Sequence, residues 1–234
     1  MAFELSEVMP WGRSFDEYAA MFALTEADLA GRILGCGDGP ASFNAEATRR
    51  GHRVISADPV YRFTAEQLQS RIEATTDVIA EQTRRNADEF VWKHFRSVEE
   101  LISARMAAMR DFLADFPAGL HEGRYIDATV SRLPFADRQF DLALCSHFLF
   151  LYSEQHGLDF HVAAVLELCR TAREVRIFPL LELGSVESRH AKPVTDAMAR
   201  YGYRAKRVRV PYEFQKGGNE MLRIVASDDN GEAT

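Results

Sequence analysis

The feature that most restricts the fold of this 234-residue chain is a glycine-rich turn at residues 31–39, whose sequence is GRILGCGDG. Two apolar residues, Ile33 and Leu34, lead into glycines at alternate positions. Glycine suits such a turn because it adopts positive φ and lets the backbone approach a ligand without a Cβ atom. A second short apolar stretch, residues 53–57, is followed directly by the carboxylate of Asp58. A strand, a glycine turn, a helix and a second strand that ends on an acid together predict a βαβ unit that binds a nucleoside.

The spacing of the glycines discriminates between nucleoside ligands. The dinucleotide pattern G-x-G-x-x-G requires glycine or alanine at its sixth position. Here that position holds Pro40, and the third glycine, Gly39, stands at the fifth. This spacing favours a ligand that has no pyrophosphate to place on the helix N-terminus. A nucleotide-dependent oxidoreductase is therefore the weaker alternative.

A third motif at residues 133–147, LPFADRQFDLALCSH, completes a resemblance to a known family. Together with residues 33–39 and Asp58, it resembles the successive motifs of class I S-adenosylmethionine-dependent methyltransferases, over most of residues 32–225. The resemblance implies a Rossmann-like α/β fold with a seven-stranded sheet. That sheet is expected to be mostly parallel, with one antiparallel strand in a C-terminal hairpin and helices on both faces. The implied cofactor is S-adenosylmethionine.

The resemblance also implies roles for individual residues. In the family, the glycine loop passes under the methionine part of the cofactor, the acid after the second strand binds the ribose, and the loop after the third strand flanks the adenine. An arginine that precedes the glycine loop, Arg13, is expected to pair with the methionine carboxylate, with a solvated surface arginine as the alternative. The expected cofactor-binding residues are Arg13, Gly35, Cys36, Gly37, Asp58, Pro59, Thr129, Val130 and Ser146.

Two departures from the family pattern leave alternatives open. Ile33 stands where the family usually has an acid, and residues 128–130 replace its usual Gly-Asp-Ala. Either Thr129 or Asp127 then contacts the adenine. The same departures leave open a protein that binds S-adenosylmethionine or S-adenosylhomocysteine without transferring a methyl group.

Two residues after the fourth predicted strand are the catalytic candidates. His147 exchanges a proton near pH 7 and is the candidate base. The alternative is a histidine that caps the strand or touches the cofactor. Tyr152 is the candidate for orienting the substrate, although the aromatic run around it is also typical of a core. No spacing of residues indicates a metal site.

The chain divides into three predicted regions. Residues 1–30 are predicted to form an N-terminal helical lid, residues 31–226 the methyltransferase domain, and residues 227–234 a disordered tail. A helical insertion at about 65–116 is predicted to cover the active site and to choose the acceptor, with Trp92 or Phe95 facing the methyl group. A homodimer formed through this insertion is the alternative. The seven strands of the sheet are predicted at 32–34, 53–57, 123–128, 140–146, 174–179, 204–210 and 221–226.

Composition restricts the partners. The apolar content of 47% is enough for one sizeable core, and a net charge of −7 argues against nucleic acid as a partner. No apolar run approaches the length of a membrane span, and the first residues lack the features of a signal peptide. With an odd number of cysteines and no paired spacing, reduced thiols in a cytoplasmic protein are expected. A small-molecule methyl acceptor is the partner that remains, and the sequence leaves hydroxyl, carboxylate, carbon and thiol acceptors open.

A further resemblance covers nearly the whole length. Residues 147–152, 176–179 and 212–218 resemble a bacterial methyltransferase-like group that has no assigned substrate. The last of these segments lies within residues 211–219, which are predicted to be a hairpin loop between the final two strands.

Overall fold

The computed structural model describes residues 11–227. Its strands are β1 (Arg32–Cys36), β2 (Arg53–Ala57), β3 (Tyr125–Ile126), β4 (Phe140–Ser146), β5 (Ala172–Phe178), β6 (Leu181–Glu182), β7 (Val186–Glu187), β8 (Tyr203–Arg209) and β9 (Glu220–Ala226). Its α-helices are α1 (Phe15–Met21), α2 (Glu26–Ala30), α3 (Phe43–Arg49), α4 (Ala65–Arg85), α5 (Val98–His121), α6 (Leu158–Thr171) and α7 (Ala191–Arg200).

One seven-stranded sheet, in the order β3-β2-β1-β4-β5-β9-β8, organises the protein. The first five strands of this order run parallel, and β9 runs antiparallel to both β5 and β8. This is the fold of the class I methyltransferases, and the predicted fold class is confirmed. The short hairpin of β6 and β7 forms a separate two-stranded sheet that the sequence did not predict.

The inner residues of β1 and β4 are apolar on both sides of the strand because both faces of the sheet are covered. Ile33 packs into the core beside α1 and α3, whereas its neighbour Leu34 packs into the core beside α6 and α7. Leu144 and Cys145 of β4 divide between the two cores in the same way. All three cysteines are buried and free, and burial raises the pKa of the Cys36 thiol well above its usual value.

The insertion between β2 and β3 is longer than predicted, and β3 is shorter. Helices α4 and α5 pack against each other, and α5 continues to His121. A third apolar cluster of Tyr61, Leu68, Phe112 and Phe116 closes around Tyr125 of β3 and attaches the insertion to the sheet. No helix between residues 11 and 227 combines the length and apolar character needed to cross a membrane.

The described part of the predicted N-terminal lid belongs to the core. Ser14 and Glu17 form a capping box at the start of α1, as the sequence indicates. Tyr18, Met21 and Phe22 are almost fully buried against the sheet. Residues 1–10 of that lid and residues 228–234 of the predicted tail lie outside the described residues.

Candidate functional site

A cavity of about 340 Å³ lies beyond the carboxyl ends of β1, β2 and β4. In open α/β sheets this is where ligands bind, because the connections from neighbouring strands diverge there. The glycine turn and Asp58 form one side of the cavity, and the insertion and the β8–β9 loop form the other.

The structure brings six of the eleven predicted site residues to the cavity wall and leaves five away from it. Those on the wall are Arg13, Gly37, Asp58, Ser146, His147 and Tyr152. Away from it, Gly35 and Cys36 still belong to β1, Val130 is buried in the core and Thr129 is exposed. Pro59 begins a short 3₁₀ turn after Asp58. Neither Thr129 nor Asp127, the two candidates for an adenine contact, borders the cavity.

The glycine turn has the conformation that its composition predicts. Gly37 and Gly39 have φ values of +67° and +53°, in the left-handed region that favours glycine. A Cβ atom on Gly37 would lie 2.8 Å from Cβ of Phe148, whereas a Cβ atom on Gly39 would meet nothing within 4 Å. Gly39 thus leaves open space beside the cavity for a ligand.

Asp58 ties the glycine turn to the end of β2. One carboxylate oxygen accepts the N–H of Gly39 at 2.8 Å, and the other accepts the N–H of Val60 at 2.9 Å. Burial raises the pKa of this carboxyl, against the effect of the two N–H groups. Each oxygen retains a lone pair with which to accept a further hydrogen bond from a ligand.

Asp38 is the second buried carboxyl at this edge of the sheet. It accepts hydrogen bonds from the Tyr18 hydroxyl and from Oγ of Ser56, both at 2.8 Å. Burial raises its pKa to about 7 in spite of these donors. The carboxylate has room because Gly35 has no side chain: a Cβ atom there would lie 1.8 Å from Oδ2 of Asp38.

Arg13 places a cation on the cavity wall without a carboxylate partner among the described residues. Its Nη1 donates to the carbonyl of Trp11 at 3.2 Å, while its Nε is buried and has no hydrogen-bond acceptor in that part of the chain. Burial and the nearby charge of Arg105 lower the pKa of Arg13 to about 10. The neighbouring carboxylate, Glu17, is already engaged by Arg105 and by the Tyr212 hydroxyl. An anionic group of a ligand would complete the surroundings of Arg13.

His147 stands at the end of β4 in an unusual backbone conformation. Its φ of +50° is uncommon for a residue other than glycine, and its N–H donates to the carbonyl of Phe178 at 2.7 Å. Its Nδ1 lies 3.0 Å from Oγ of Ser146. Burial, and then the charges of Arg13 and Arg105, lower the pKa of the imidazole well below its usual value. The ring is therefore neutral at pH 7 and able to accept a proton.

The sequence predicted the wrong aromatic residues of the insertion on the cavity wall. Trp92 and Phe95 do not border the cavity; each packs edge-on against Phe214, with ring centroids 5.8 Å apart. Phe90 borders it instead. The loop at 211–219, predicted to be a connector, contributes Phe214 and Gln215 to the wall. Its aromatic and polar composition was the one local signal of this role.

Three segments, at residues 147–152, 176–179 and 212–218, converge beside the site. The ring of His147 meets Phe178 at 5.3 Å, and Phe178 meets Tyr212 at 5.9 Å. The Tyr212 hydroxyl then donates to Glu17 at 2.8 Å. Glu17 and Arg105 were not among the predicted site residues. They do not border the cavity themselves, and their ion pair holds Glu17 in place to accept the hydrogen bond from Tyr212.

The fold and the cavity define the class of the protein, an α/β domain with the class I methyltransferase topology. The chain belongs to the same family as the uncharacterized protein MJ0045 of the archaeon Methanocaldococcus jannaschii. The two sequences are 32% identical over 221 residues, which cover 94% of this chain and 97% of the relative. No protein-family model matches the chain.

Two solved structures show looser similarity. The magnesium protoporphyrin IX methyltransferase ChlM of Synechocystis PCC 6803, with bound SAM, is 11% identical with a TM-score of 0.47, covering 91% of this chain and 78% of ChlM. The 1,6-didemethyltoxoflavin-N1-methyltransferase of Burkholderia thailandensis is 16% identical with a TM-score of 0.46, covering 90% and 78%. The strand order of the sheet, β3-β2-β1-β4-β5-β9-β8, defines the fold.

Proposed function

We propose that this protein is an S-adenosylmethionine-dependent methyltransferase that acts on a small molecule. The observation that carries the proposal is the convergence of Gly39, Asp58, Arg13 and His147 on one cavity. These residues come from three strand ends and from the segment before α1. Gly39 contributes backbone without a side chain, and Asp58 contributes hydrogen-bond acceptors suited to a diol. Arg13 contributes a cation without a carboxylate partner among the described residues, and His147 contributes a neutral base.

The cofactor fits the groups that lack partners. The carboxylate oxygens of Asp58 suit the two vicinal hydroxyls of a ribose. Arg13 borders the cavity and has no carboxylate partner among the described residues, and the methionine carboxylate would supply one. The open space beside Gly39 admits a ligand close to the backbone.

His147 supplies the acid–base chemistry that methyl transfer to an O–H or N–H group requires. When bound, S-adenosylmethionine supplies a methyl group made electrophilic by its sulfonium. His147 is the base that takes the proton lost by the acceptor, because its imidazole is neutral at pH 7. In the tautomer in which Nδ1–H donates to Oγ of Ser146, Nε2 carries the free lone pair, and it forms no hydrogen bond within the described part of the chain. Nε2 is therefore the nitrogen proposed to receive the proton.

The enclosure of the cavity supports a small-molecule acceptor. Helices α4 and α5, the connection between them and the β8–β9 loop cover one side of the cavity. Apolar side chains that exclude water line this side, which favours displacement at a methyl group over hydrolysis. These residues are Leu68, Ile72, Ile79, Phe90, Leu101 and Phe214.

Isothermal titration calorimetry with three ligands tests the proposal. S-adenosylmethionine and S-adenosylhomocysteine are expected to bind, and NAD⁺ is not. Incubation with methyl-labelled S-adenosylmethionine and a panel of small alcohols, phenols, amines and thiols then tests transfer. Failure of both S-adenosyl ligands to bind would refute the cofactor assignment. Binding with no labelled product from any acceptor would favour a protein that only binds the cofactor.

A further inference from the structure

Four side chains, from α1 and from the carboxyl ends of β1 and β4, form one connected chain of hydrogen bonds on the cavity wall. The hydroxyl of Tyr18 donates to Oδ1 of Asp38 at 2.8 Å, and Oγ of Ser146 lies 3.0 Å from Nδ1 of His147. A hydrogen bond between Ser146 and the Tyr18 hydroxyl joins the two pairs. All four residues border the cavity. The chain therefore connects a buried carboxyl with the proposed base.

The carboxyl at one end sets the direction of the bonds in this chain. An ionised carboxylate only accepts hydrogen bonds, and Ser56 donates to the other oxygen of Asp38 at 2.8 Å. The Tyr18 hydroxyl directs its single hydrogen to Asp38, so its oxygen is left to accept from Ser146. Burial raises the pKa of Tyr18 well above its usual value, and the bond with Ser146 acts in the opposite direction, as a donor to the tyrosine oxygen does.

This direction determines which nitrogen of His147 carries the proton. Oγ of Ser146 directs its hydrogen to Tyr18, so it accepts from the imidazole, and Nδ1 must be protonated. A neutral ring has one N–H, so Nε2 keeps its lone pair. The hydrogen bond at one nitrogen thus selects the tautomer, whereas the same side chain in water favours a proton on Nε2.

Burial protects the chain from competition with water. Tyr18 is 1% exposed, Ser146 is 4% exposed and Asp38 is 8% exposed. Hydrogen bonds in such surroundings are stronger than in water, and a reversed bond that left a donor or acceptor without a partner would be costly. The order of donors and acceptors therefore persists along the whole chain.

The charged groups that face the two ends are compatible with this order. At one end, burial and the charges of Arg13 and Arg105 lower the pKa of His147 well below its usual value, so the ring is neutral and its tautomer matters. At the other end, burial and the nearby charge of Asp58 raise the pKa of Asp38 to about 7. Above that pH, Asp38 is a carboxylate that accepts from both of its hydroxyl partners.

Resting on the proposed function, we propose that Asp38 is a positioning residue that acts on His147 through Tyr18 and Ser146. It holds the ring with its proton on Nδ1, which leaves Nε2 to take the proton that the methyl acceptor loses. The chain itself moves no proton; it selects which nitrogen is the base. Without it, the ring would present Nε2–H to the acceptor, and an N–H group cannot take up a further proton at that nitrogen.

Nitrogen-15 NMR of the free protein, labelled in its histidine rings and held at about pH 9, tests the inference. The His147→Gln variant identifies the signals of this ring. In the unaltered protein, Nδ1 is expected to carry the proton. Tyr18→Phe leaves Ser146 free to donate to Nδ1, so the proton is expected to move to Nε2. Ser56→Ala is the matched control: it removes the other hydroxyl that donates to Asp38 but lies off the path to His147, so the tautomer should not change.

Three results would overturn the inference: a proton on Nε2 in the unaltered protein, an unchanged tautomer in Tyr18→Phe, or an equal change in Ser56→Ala. Circular dichroism checks that each variant is folded. Ser146→Ala is a smaller change with the same expected shift to Nε2, and it replaces Tyr18→Phe should that variant not fold. The spectra need neither cofactor nor acceptor. A failure here is therefore distinguished from a failure of the S-adenosyl ligands to bind, which concerns the proposed function alone.

Discussion

The hydroxyl of Tyr18 donates a 2.8 Å hydrogen bond to Oδ1 of Asp38 and so links α1 to the glycine turn. Both residues border the cavity. The carboxyl is buried, and it shares the site with Ser56 and with the nearby charge of Asp58. Because burial raises the pKa of the Asp38 carboxyl, the stability of the folded protein depends on pH through this group.

The free energy of unfolding is expected to fall as pH rises from about 4 to about 7 through Asp38. Burial raises the pKa of Asp38 from 3.8 to about 7, so the folded protein retains a proton that the unfolded chain releases in this range. The Asp38→Asn variant should lack this component. Urea denaturation of both proteins at pH 5 and pH 8 measures the difference. Identical changes with pH in the two proteins would show that Asp38 does not titrate in this way.

Replacing Asp58 is expected to weaken binding of S-adenosylmethionine by about 2–3 kcal/mol, the usual contribution of hydrogen bonds to a charged group. Asp58→Asn is preferred to alanine, because the residue also accepts the N–H groups of Gly39 and Val60. Calorimetry measures the affinity. Asp77→Asn, at an exposed position outside the cavity, is the control. An unchanged dissociation constant for Asp58→Asn would remove this residue from the cofactor site.

Arg13→Met is expected to lower the affinity for S-adenosylmethionine about tenfold or more, because it removes the partner of the methionine carboxylate. Affinity for 5′-methylthioadenosine, which lacks that carboxylate, should stay close to that of the unaltered protein. Arg62→Met, at an exposed arginine that does not border the cavity, controls for the loss of positive charge. Equal losses for both ligands would show that Arg13 acts on the fold instead.

Gly39→Asn is expected to weaken cofactor binding at least about tenfold while the protein stays folded. Asparagine tolerates a φ of +53°, and its Cβ atom would enter open space beside the cavity. Gly37 is a poorer test, because a side chain there would collide with Phe148. Circular dichroism checks folding, and calorimetry measures binding. Full affinity in a folded Gly39→Asn variant would exclude the turn from the cofactor site.

His147 is expected to be neutral at pH 7, since burial and the charges of Arg13 and Arg105 lower its pKa well below 6.5. Carbon-13 NMR of labelled histidines follows the ring, and the His147→Gln variant identifies its signal. A titration midpoint at or above 6.5 would show that the ring is not held in its proton-accepting form. A neutral ring implies that the rate of methyl transfer stays constant across neutral pH and decreases only in acid.

Much of the fold was predictable because the signals are local. The run from Ile33 to Gly39 specifies a buried strand and a left-handed turn through sterics within a few residues. Asp58 follows β2 directly, and parallel strands bring their carboxyl ends to one edge of a sheet. The seven-stranded sheet, its antiparallel strand and the position of His147 at that edge were implied by the family that this order of motifs resembles.

The acceptor side of the site depends on contacts between segments that local patterns do not relate. Phe90, Trp92 and Phe95 have similar apolar character in the sequence, and only the docking of the β8–β9 loop decides that Phe90 borders the cavity. Glu89 and Gln215 come to border the same cavity through backbone hydrogen bonds between their two loops. Periodicity and spacing report the face of a helix or strand, but which loops meet is decided by the packing of whole elements on the sheet. For this reason the sequence predicted the glycine-turn side of the cavity, and only the tertiary structure decided which residues of the insertion and of the β8–β9 loop border it.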